Sequence, residues 1–216
     1  MSESEPATGA DSSLESAVPP FHDQRISMKT MLSVGLIATA AVSAVICPPL
    51  TTAANAATES GTCTLNATAN ISPGLTTASQ SFTVTFDGTL SHCAGASPNT
   101  PPSGQLIAGL DGAPVPNGTG SCESNTVNGY SINKWSDGNT TVVKFSATGT
   151  PIGLDLTGQV VDGVSNGSTQ FTTTEPTTPV GSAVKGAIAF VTNPLNCLPG
   201  QGVTTAQVAG QLTHTN

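Results

Sequence analysis

From residue 60 onward, apolar and polar side chains alternate along the chain. In the segment "TCTLNATANI" the apolar or small residues are Cys63, Leu65, Ala67, Ala69 and Ile71, with threonine or asparagine between them. The segment "SFTVTFDGTL" repeats the pattern. Successive side chains of a β-strand point to opposite faces, so this alternation predicts half-buried strands. No window carries apolar residues at helical spacing, and we expect almost no helix.

The same pattern predicts further strands. They cover residues 104–110, 127–135, 140–147, 152–161, 184–191 and 203–213, with a weaker one at 168–174. Pro-rich and Gly-rich loops separate them, and Asp137-Gly138 predicts a type I′ hairpin turn, because both central residues of that turn need positive φ. Eight or nine short strands predict one all-β domain, an antiparallel immunoglobulin-like β-sandwich. A closed barrel is the alternative.

A long apolar run precedes the strands. Between Met31 and Ile46 there is no charged side chain, and Lys29 lies just before the run. A membrane-spanning helix needs about 20 apolar residues, whereas this run contains serine, threonine and glycine and stops at Cys47-Pro48-Pro49. The run therefore predicts a secretory signal peptide over residues 28–56 and not a membrane anchor.

Cleavage is expected after Ala56, because Ala54-Asn55-Ala56 places small residues where signal peptidase needs them. The region of Ala44 is the alternative site. Lipidation at Cys47 is disfavoured, because the bulky Ile46 precedes the cysteine. Residues 1–27 carry five acidic residues and one arginine, so they are either a disordered extension or lie before a true start at Met28.

The exported chain, residues 57–216, would be a single acidic domain. It contains three lysines, no arginine and eight acidic residues. Such a chain has no basic stripe to neutralise phosphates, which excludes nucleic acid as a partner and disfavours anionic membranes. We expect no cofactor and no stable membrane span after cleavage. The secreted or extracellular compartment is the expected location.

Removal of Cys47 with the signal leaves Cys63, Cys93, Cys122 and Cys197. An even set of cysteines in an oxidising compartment predicts two disulfides, and the absence of C-x-x-C spacing argues against zinc. Four cysteines allow three pairings. Antiparallel strands on either side of residue 75 would bring Cys63 and Cys93 to one end of the fold, leaving Cys122 for Cys197; a crossing between sheets would favour Cys93 with Cys122.

The order "TVTFDGTLSHCAG", "SGQL", "GTGSC" and "GYSINKWSDGNTTVVKF", followed by a late cysteine, resembles a group of small secreted actinobacterial proteins of unknown function. The resemblance covers most of residues 57–216. It implies export, a β-sandwich and two disulfides. It brings no functional residues with it.

One segment matches a catalytic pattern. Residues 163–167, "GVSNG", fit the G-x-S-x-G nucleophile elbow of serine hydrolases, and Glu175 and His214 follow in the hydrolase order. That elbow turns from a strand into a helix, and the following "STQFTTTEPTTP" cannot form one. A serine hydrolase using Ser165 and His214 is therefore kept as the alternative function.

Two other sets of reactive side chains are weaker. His92 and Cys93 would form a base and a nucleophile if the thiol were reduced, but neighbours on a strand point to opposite faces and Cys93 is expected in a disulfide. Asp137, Asp155 and Asp162 would supply carboxylates to calcium, but no EF-hand loop is present and turn formation explains them better.

Tyr130 and Trp135 are the only residues of their kinds and lie on one predicted strand. They are a candidate aromatic binding surface, although packing of Trp135 in the core is the commoner role. Because no convincing catalytic set appears, we expect a secreted, non-catalytic binding or interaction module of the extracellular space or cell envelope. The sequence does not identify its ligand or partner.

Overall fold

The computed structural model of the protein describes residues 60–191, 197 and 202–216. The predictions for residues 1–27, for the signal peptide 28–56 and for Cys47 lie outside these residues. The described chain is built of strands and turns, without helix. Its strands pair with their neighbours in antiparallel fashion.

The strands are, in chain order, β1 (Ser60–Leu75), β2 (Gln80–Gly95), β3 (Gly104–Ala108), β4 (Asn117–Gly120), β5 (Asn125–Trp135), β6 (Thr140–Thr150), β7 (Gly153–Val161), β8 (Gly163–Asn166), β9 (Thr169–Thr172), β10 (Ala183–Phe190) and β11 (Val203–Thr215). Every segment predicted from alternation contains a strand. Two strands, β4 and β8, lie in segments where the sequence predicts loops.

The main sheet closes on itself. Its strands follow the order β1-β11-β10-β7-β6-β5-β3-β2, and β2 pairs again with β1. The short strands β3 and β4 share one position, because each pairs with both β2 and β5 at different levels. The result is a barrel of eight strand positions. The hairpin β8–β9 forms a separate two-stranded sheet.

The predicted immunoglobulin-like sandwich is not confirmed. A sandwich consists of two sheets with edge strands, whereas here β1 is bonded on one side to β2 and on the other to β11. Closure satisfies the backbone groups that edge strands would leave unpaired. The closed barrel, which the sequence left as the alternative, is the architecture formed, and the coarser prediction of an antiparallel all-β fold is confirmed.

Alternate residues of each barrel strand point inward and form the core. The buried apolar members of this core are Leu65, Ala67, Ala69, Leu75, Phe82, Val84, Leu90, Leu106, Val127, Val143, Phe145, Ala147, Val160, Val184, Ile188, Ala206 and Val208. Side chains of this size fill the interior of an eight-stranded barrel. A residual apolar cavity of about 40 Å³ remains beside Phe86 and Leu156.

A second cluster, which we call the outer cluster, lies on the outside of the wall. Ile107, Ile132 and Val142 are buried there although they point away from the barrel interior. Val164 of β8 and Phe171 of β9 pack against them. The β8–β9 hairpin therefore shields an apolar part of the wall that would otherwise face water.

The hairpin between β5 and β6 forms where it was predicted, but its turn is not type I′. Gly138 has φ of 89°, whereas Asp137 does not have positive φ. The N–H of Gly138 donates to the carbonyl of Trp135, and the N–H of Trp135 donates to the carbonyl of Asn139. This pattern is a three-residue loop with glycine in the left-handed position, the next commonest hairpin connection.

Both predicted disulfides are present. Cys63 bonds to Cys93 and Cys122 bonds to Cys197. Cys63 of β1 lies opposite a bulge in β2, where His92 has φ of 50° and the pairing register shifts. The two bridges lie at opposite ends of β1, because Cys63 is near its start and the N–H of Cys122 donates to the carbonyl of Thr76, just after its end.

Candidate functional site

One end of the barrel carries most of the buried polar side chains. At this end, which we call the covered end, β5 passes into β6 and Cys63 is bonded to Cys93. A cavity of about 30 Å³ lies inside it. The cavity is lined by Cys63, Leu90, Asn133, Trp135, Thr141, Val143, Thr178, Val184, Leu212, Thr213 and His214.

Trp135 is a packing residue of the covered end. Its ring packs against the apolar core around Leu65 and Leu90, and its indole N–H donates to the hydroxyl of Thr141 at 2.8 Å. Thr141 is almost fully buried. Trp135 is partly buried, and its indole N–H needs such an acceptor because burial removes the water that would otherwise accept from it.

Asn133 also points into this cavity. It is 8% exposed, and its carbonyl oxygen Oδ1 has no hydrogen-bond partner among the described residues. An unpaired buried acceptor costs about 1–3 kcal/mol. Asn133 and Thr141 are not among the predicted site residues. Their positions in β5 and β6 share the inward phase of Val127 and Val143, and that phase was a usable signal.

Residues 173–182, which we call the cover segment, join β9 to β10. Thr178 of this segment lines the cavity of the covered end. The N–H groups of Thr174 and Glu175 both donate to the carbonyl of Thr140. The hydroxyl oxygen of Ser182 lies 2.6 Å from the carbonyl oxygen of Pro179 and 2.6 Å from the side-chain oxygen of Asn216, and its single proton is shared between these two acceptors. These bonds connect the cover segment both to β6 and to the end of the chain.

Glu175 is the buried acidic residue of the cover segment. It is 2% exposed, and Oε1 accepts from the N–H of Thr177 at 2.9 Å and from its hydroxyl at 2.6 Å. Oε2 has no hydrogen-bond partner among the described residues. The ion pair found in the described part of the chain joins Lys134 to Asp111 and does not include Glu175.

Asp137 occupies the tip of the β5–β6 hairpin. The backbone N–H of Asn139 donates to its carboxylate at 3.0 Å and is the main reason that the pKa of Asp137 lies below its ordinary value. The side-chain amide of Asn139 lowers this pKa further, while slight burial opposes the shift. Its role is that of a turn-forming aspartate.

The structure places Ser165 and His214 on different parts of the molecule. Ser165 is exposed on β8 and is followed by the β8–β9 turn, so the strand-to-helix elbow of hydrolases is not formed. His214 lies on β11 opposite Gly61 and Val184 and lines the cavity of the covered end. Glu175 belongs to the cover segment and not to the β8–β9 hairpin.

The two aromatic residues of the predicted binding surface point to opposite faces of β5. Trp135 contributes to the barrel interior, whereas Tyr130 packs half-buried against the outer cluster. They do not form one surface. The remaining candidates are also dispersed: His92 is exposed beside the first disulfide, and its ring Nδ1 lies 3.3 Å from the hydroxyl of Ser91.

The acidic residues considered for calcium lie apart on the fold. Asp155 is on the outer face of β7 and pairs across the sheet with Thr148 and Ala187, while Asp162 follows β7. Within residues 60–191, 197 and 202–216, no three histidine, cysteine, aspartate or glutamate side chains gather into a group that would hold a metal ion.

Larger depressions are found on the outside of the wall. One of about 350 Å³ lies over β1, β2 and β11, and includes Asn66, Thr68 and Asp87. Another of about 540 Å³ lies over β7, β10 and β11, with Ala187 and Ala189 on its floor. Both are shallow and open to solvent, in contrast to the small interior cavities.

Comparison with family models, curated proteins and solved structures finds no match to this chain. In the part of the chain that the structure describes, no helix is long and apolar enough to cross a membrane. The class that the fold defines is a disulfide-bonded, closed antiparallel barrel with a packed interior.

Proposed function

We propose that the protein is exported and acts as a non-catalytic binding or interaction protein of the extracellular space or cell envelope. The observation that carries this proposal is that the interior cavities are small, whereas the larger depressions lie on the outside of the wall. Two interior cavities lined by described residues measure about 40 and 30 Å³, whereas sites for small organic ligands run to roughly 300 Å³ or more. We therefore place the binding surface on the outside of the barrel. The two disulfides fit an oxidising compartment.

The outer face of β1 and β2 is the surface best suited to this role. Asn66 lies opposite Thr89 and Asn70 opposite Thr85, with Thr68 between them. We call this set the polar wall. Asn66, Thr68 and Thr89 make no side-chain hydrogen bond within the described residues, so their amide and hydroxyl groups are available to a ligand.

An uncharged, hydroxyl-rich polymer fits the polar wall. Side chains on one face of a strand repeat at about 6.8 Å and neighbouring strands at about 4.8 Å, so the donors and acceptors form a regular array. The array includes one carboxylate, Asp87, which accepts from the side chain of Gln105 at 3.2 Å. A neutral glycan chain of the envelope is the ligand class we propose.

Binding of the secreted protein to an array of neutral and anionic oligosaccharides would test this proposal. Asn66→Ala combined with Thr68→Ala should weaken binding to the neutral glycans about tenfold. The matched control is Asn128→Ala with Thr148→Ala, which removes an exposed amide and hydroxyl from β5 and β6. The polar wall would be refuted as the site if the two double variants bound equally well. It would also be refuted if the original protein and both variants failed to bind.

The alternative of a serine hydrolase is separated by a different measurement. A fluorophosphonate probe should leave the secreted protein unlabelled. Labelling that disappears in Ser165→Ala and in His214→Gln would show that the protein is a hydrolase and would refute the binding proposal.

Export is tested by mass spectrometry of the culture medium. It should find a chain that begins near Ala57 and carries no lipid; a retained, unprocessed chain would contradict export.

A further inference from the structure

We propose that Asn166 is a site of spontaneous deamidation and that this reaction loosens the β8–β9 hairpin from the wall. The segment "GVSNG" contains one of three Asn-Gly pairs in the sequence, the others being Asn117-Gly118 and Asn128-Gly129. Asn-Gly is the most reactive dipeptide for this chemistry, because a glycine after asparagine leaves the attacking backbone nitrogen unhindered. The fold places Asn166-Gly167 at a hairpin turn and the other two pairs in strands of the barrel wall.

The reaction is balanced without a cofactor or an oxidant. The backbone nitrogen of Gly167 attacks Cγ of Asn166, a new C–N bond closes a succinimide ring, and the side-chain nitrogen leaves as ammonia. Water then opens the ring at either carbonyl and gives aspartate or isoaspartate. The step needs the backbone of residue 167 to move relative to the side chain of residue 166.

The turn at Asn166 permits that movement. Asn166 is exposed and pairs with Thr169, so Gly167 and Ser168 form a two-residue hairpin loop. Gly167 has φ of 60°, as the first central residue of a type II′ turn requires, and no atom lies within 4 Å of the position its Cβ would take. The open space around Gly167 leaves room for its backbone to move toward the side chain of Asn166.

The other two Asn-Gly pairs are held within the barrel wall. Gly118 pairs with both Phe82 and Val127, and a Cβ there would overlap the Phe82 ring. Gly129 pairs with Phe145 and lies against Pro116. Reaction at either pair requires local opening of the ladder, which is least frequent in the core strands of a fold.

Deamidation at Asn166 would change a contact that anchors the hairpin. The Nδ2 group of Asn166 donates to the carbonyl of Gly112 at 3.2 Å. The product is a carboxylate, which has no proton to donate and faces the same carbonyl oxygen. The hydrogen bond is therefore replaced by a repulsive contact between β8 and the loop that carries Gly112.

Peptide mapping of the folded, full-length secreted protein during incubation at mildly alkaline pH tests the reaction. Asn166 should convert at least about tenfold faster than Asn117 and Asn128, because they are protected by the ladder. In heavy-oxygen water the new carboxyl group should take up solvent oxygen. In urea the three sites should convert at similar rates. Equal rates in the folded protein, or an unmodified Asn166, would overturn the proposal.

Two variants test the structural consequence. Asn166→Asp reproduces the charge and should speed amide hydrogen exchange in β8 and β9, with no change in β1 or β2. Asn166→Gln keeps an amide but disfavours ring closure, so it should remain unmodified and exchange like the original protein. Unchanged exchange in Asn166→Asp would refute the loosening of the hairpin.

Discussion

At the scale of single residues, the covered end shows how burial decides the role of a polar side chain. Trp135 and Thr141 satisfy each other, whereas Asn133 and Glu175 each keep a buried oxygen without a partner among the described residues. A satisfied pair adds to stability and an unsatisfied acceptor subtracts from it. Removing a group of the satisfied pair should therefore lower stability, whereas removing an unsatisfied oxygen should not.

Trp135→Ala should lower the free energy of unfolding by about 3 kcal/mol, because it removes a large ring from the core. Thr141→Val should cost about 1–3 kcal/mol, because the indole N–H loses its acceptor. Urea unfolding measures both. Val115→Ala, at a position 43% exposed, is the control and should change stability by no more than about 0.5 kcal/mol. A Trp135→Ala variant as stable as the control would contradict the core role.

Asn133→Leu should leave the unfolding free energy unchanged or raise it, unlike Thr141→Val. Leucine has a similar shape and removes the acceptor that lacks a partner, and such replacements are nearly neutral or stabilising. The measurement is the urea midpoint of the two variants side by side. A loss in Asn133→Leu as large as that in Thr141→Val would show that Asn133 is satisfied by a group such as ordered water.

Asp137 should make a small, pH-dependent contribution to stability. Its pKa is lowered in the folded protein, chiefly by the N–H of Asn139, so the contribution is present above the unfolded pKa and is lost as pH falls through the folded pKa. From about pH 5 to about pH 2, the melting temperature should therefore fall less steeply in Asp137→Asn than in the original protein. Parallel melting curves over this range would contradict the assignment.

At the scale of elements, the structure departs from the sequence where local patterns are weak. The strands with alternating apolar residues were predicted, because each carries its own burial signal. β4, "NGTG", and β8, "GVSN", carry none. β4 is a strand because β2 and β5 lie on either side of it, and Gly118 allows the Phe82 ring to lie against it.

The β8–β9 hairpin should behave as a unit distinct from the barrel. Phe171→Ala removes the ring that covers Ile132 and Val142 and should lower stability by about 2 kcal/mol, because the site is only partly buried. Amide exchange should quicken in β8 and β9 and remain slow in β1, β2 and β11. Uniform acceleration across the barrel would show that the hairpin is part of one cooperative unit.

At the scale of the whole molecule, closure of the sheet and the two disulfides act together. The long strands β1 and β2 are each 16 residues and pair with one another along most of their length. The bridge Cys63–Cys93 fastens this hairpin at the covered end, and Cys122–Cys197 fastens the opposite end across a separation of 75 residues. The barrel is thus held at both ends.

The wider ring should contribute more to stability. In the chain-entropy account, closing the ring with a separation of 30 residues is worth about 3.6 kcal/mol, and the ring of 75 about 4.5 kcal/mol. Replacing Cys122 and Cys197 by serine should therefore lower the free energy of unfolding by about 0.8 kcal/mol more than replacing Cys63 and Cys93. A larger loss from the Cys63 and Cys93 variant would indicate that native-state packing, and not chain entropy, dominates.

The sequence by itself determined the antiparallel all-β class, most strands, and the disulfide pair that follows from two neighbouring antiparallel strands. These depend on side-chain alternation and on short chain distances, which are local properties. Only the tertiary structure decided that the sheet closes into a barrel and that Glu175 is buried. These depend on the pairing of β1 with β11 and on the cover segment meeting β6. Contacts between residues so distant in the chain leave no periodic trace in either segment, because each strand alternates in the same way whether its partner closes a barrel or begins a second sheet.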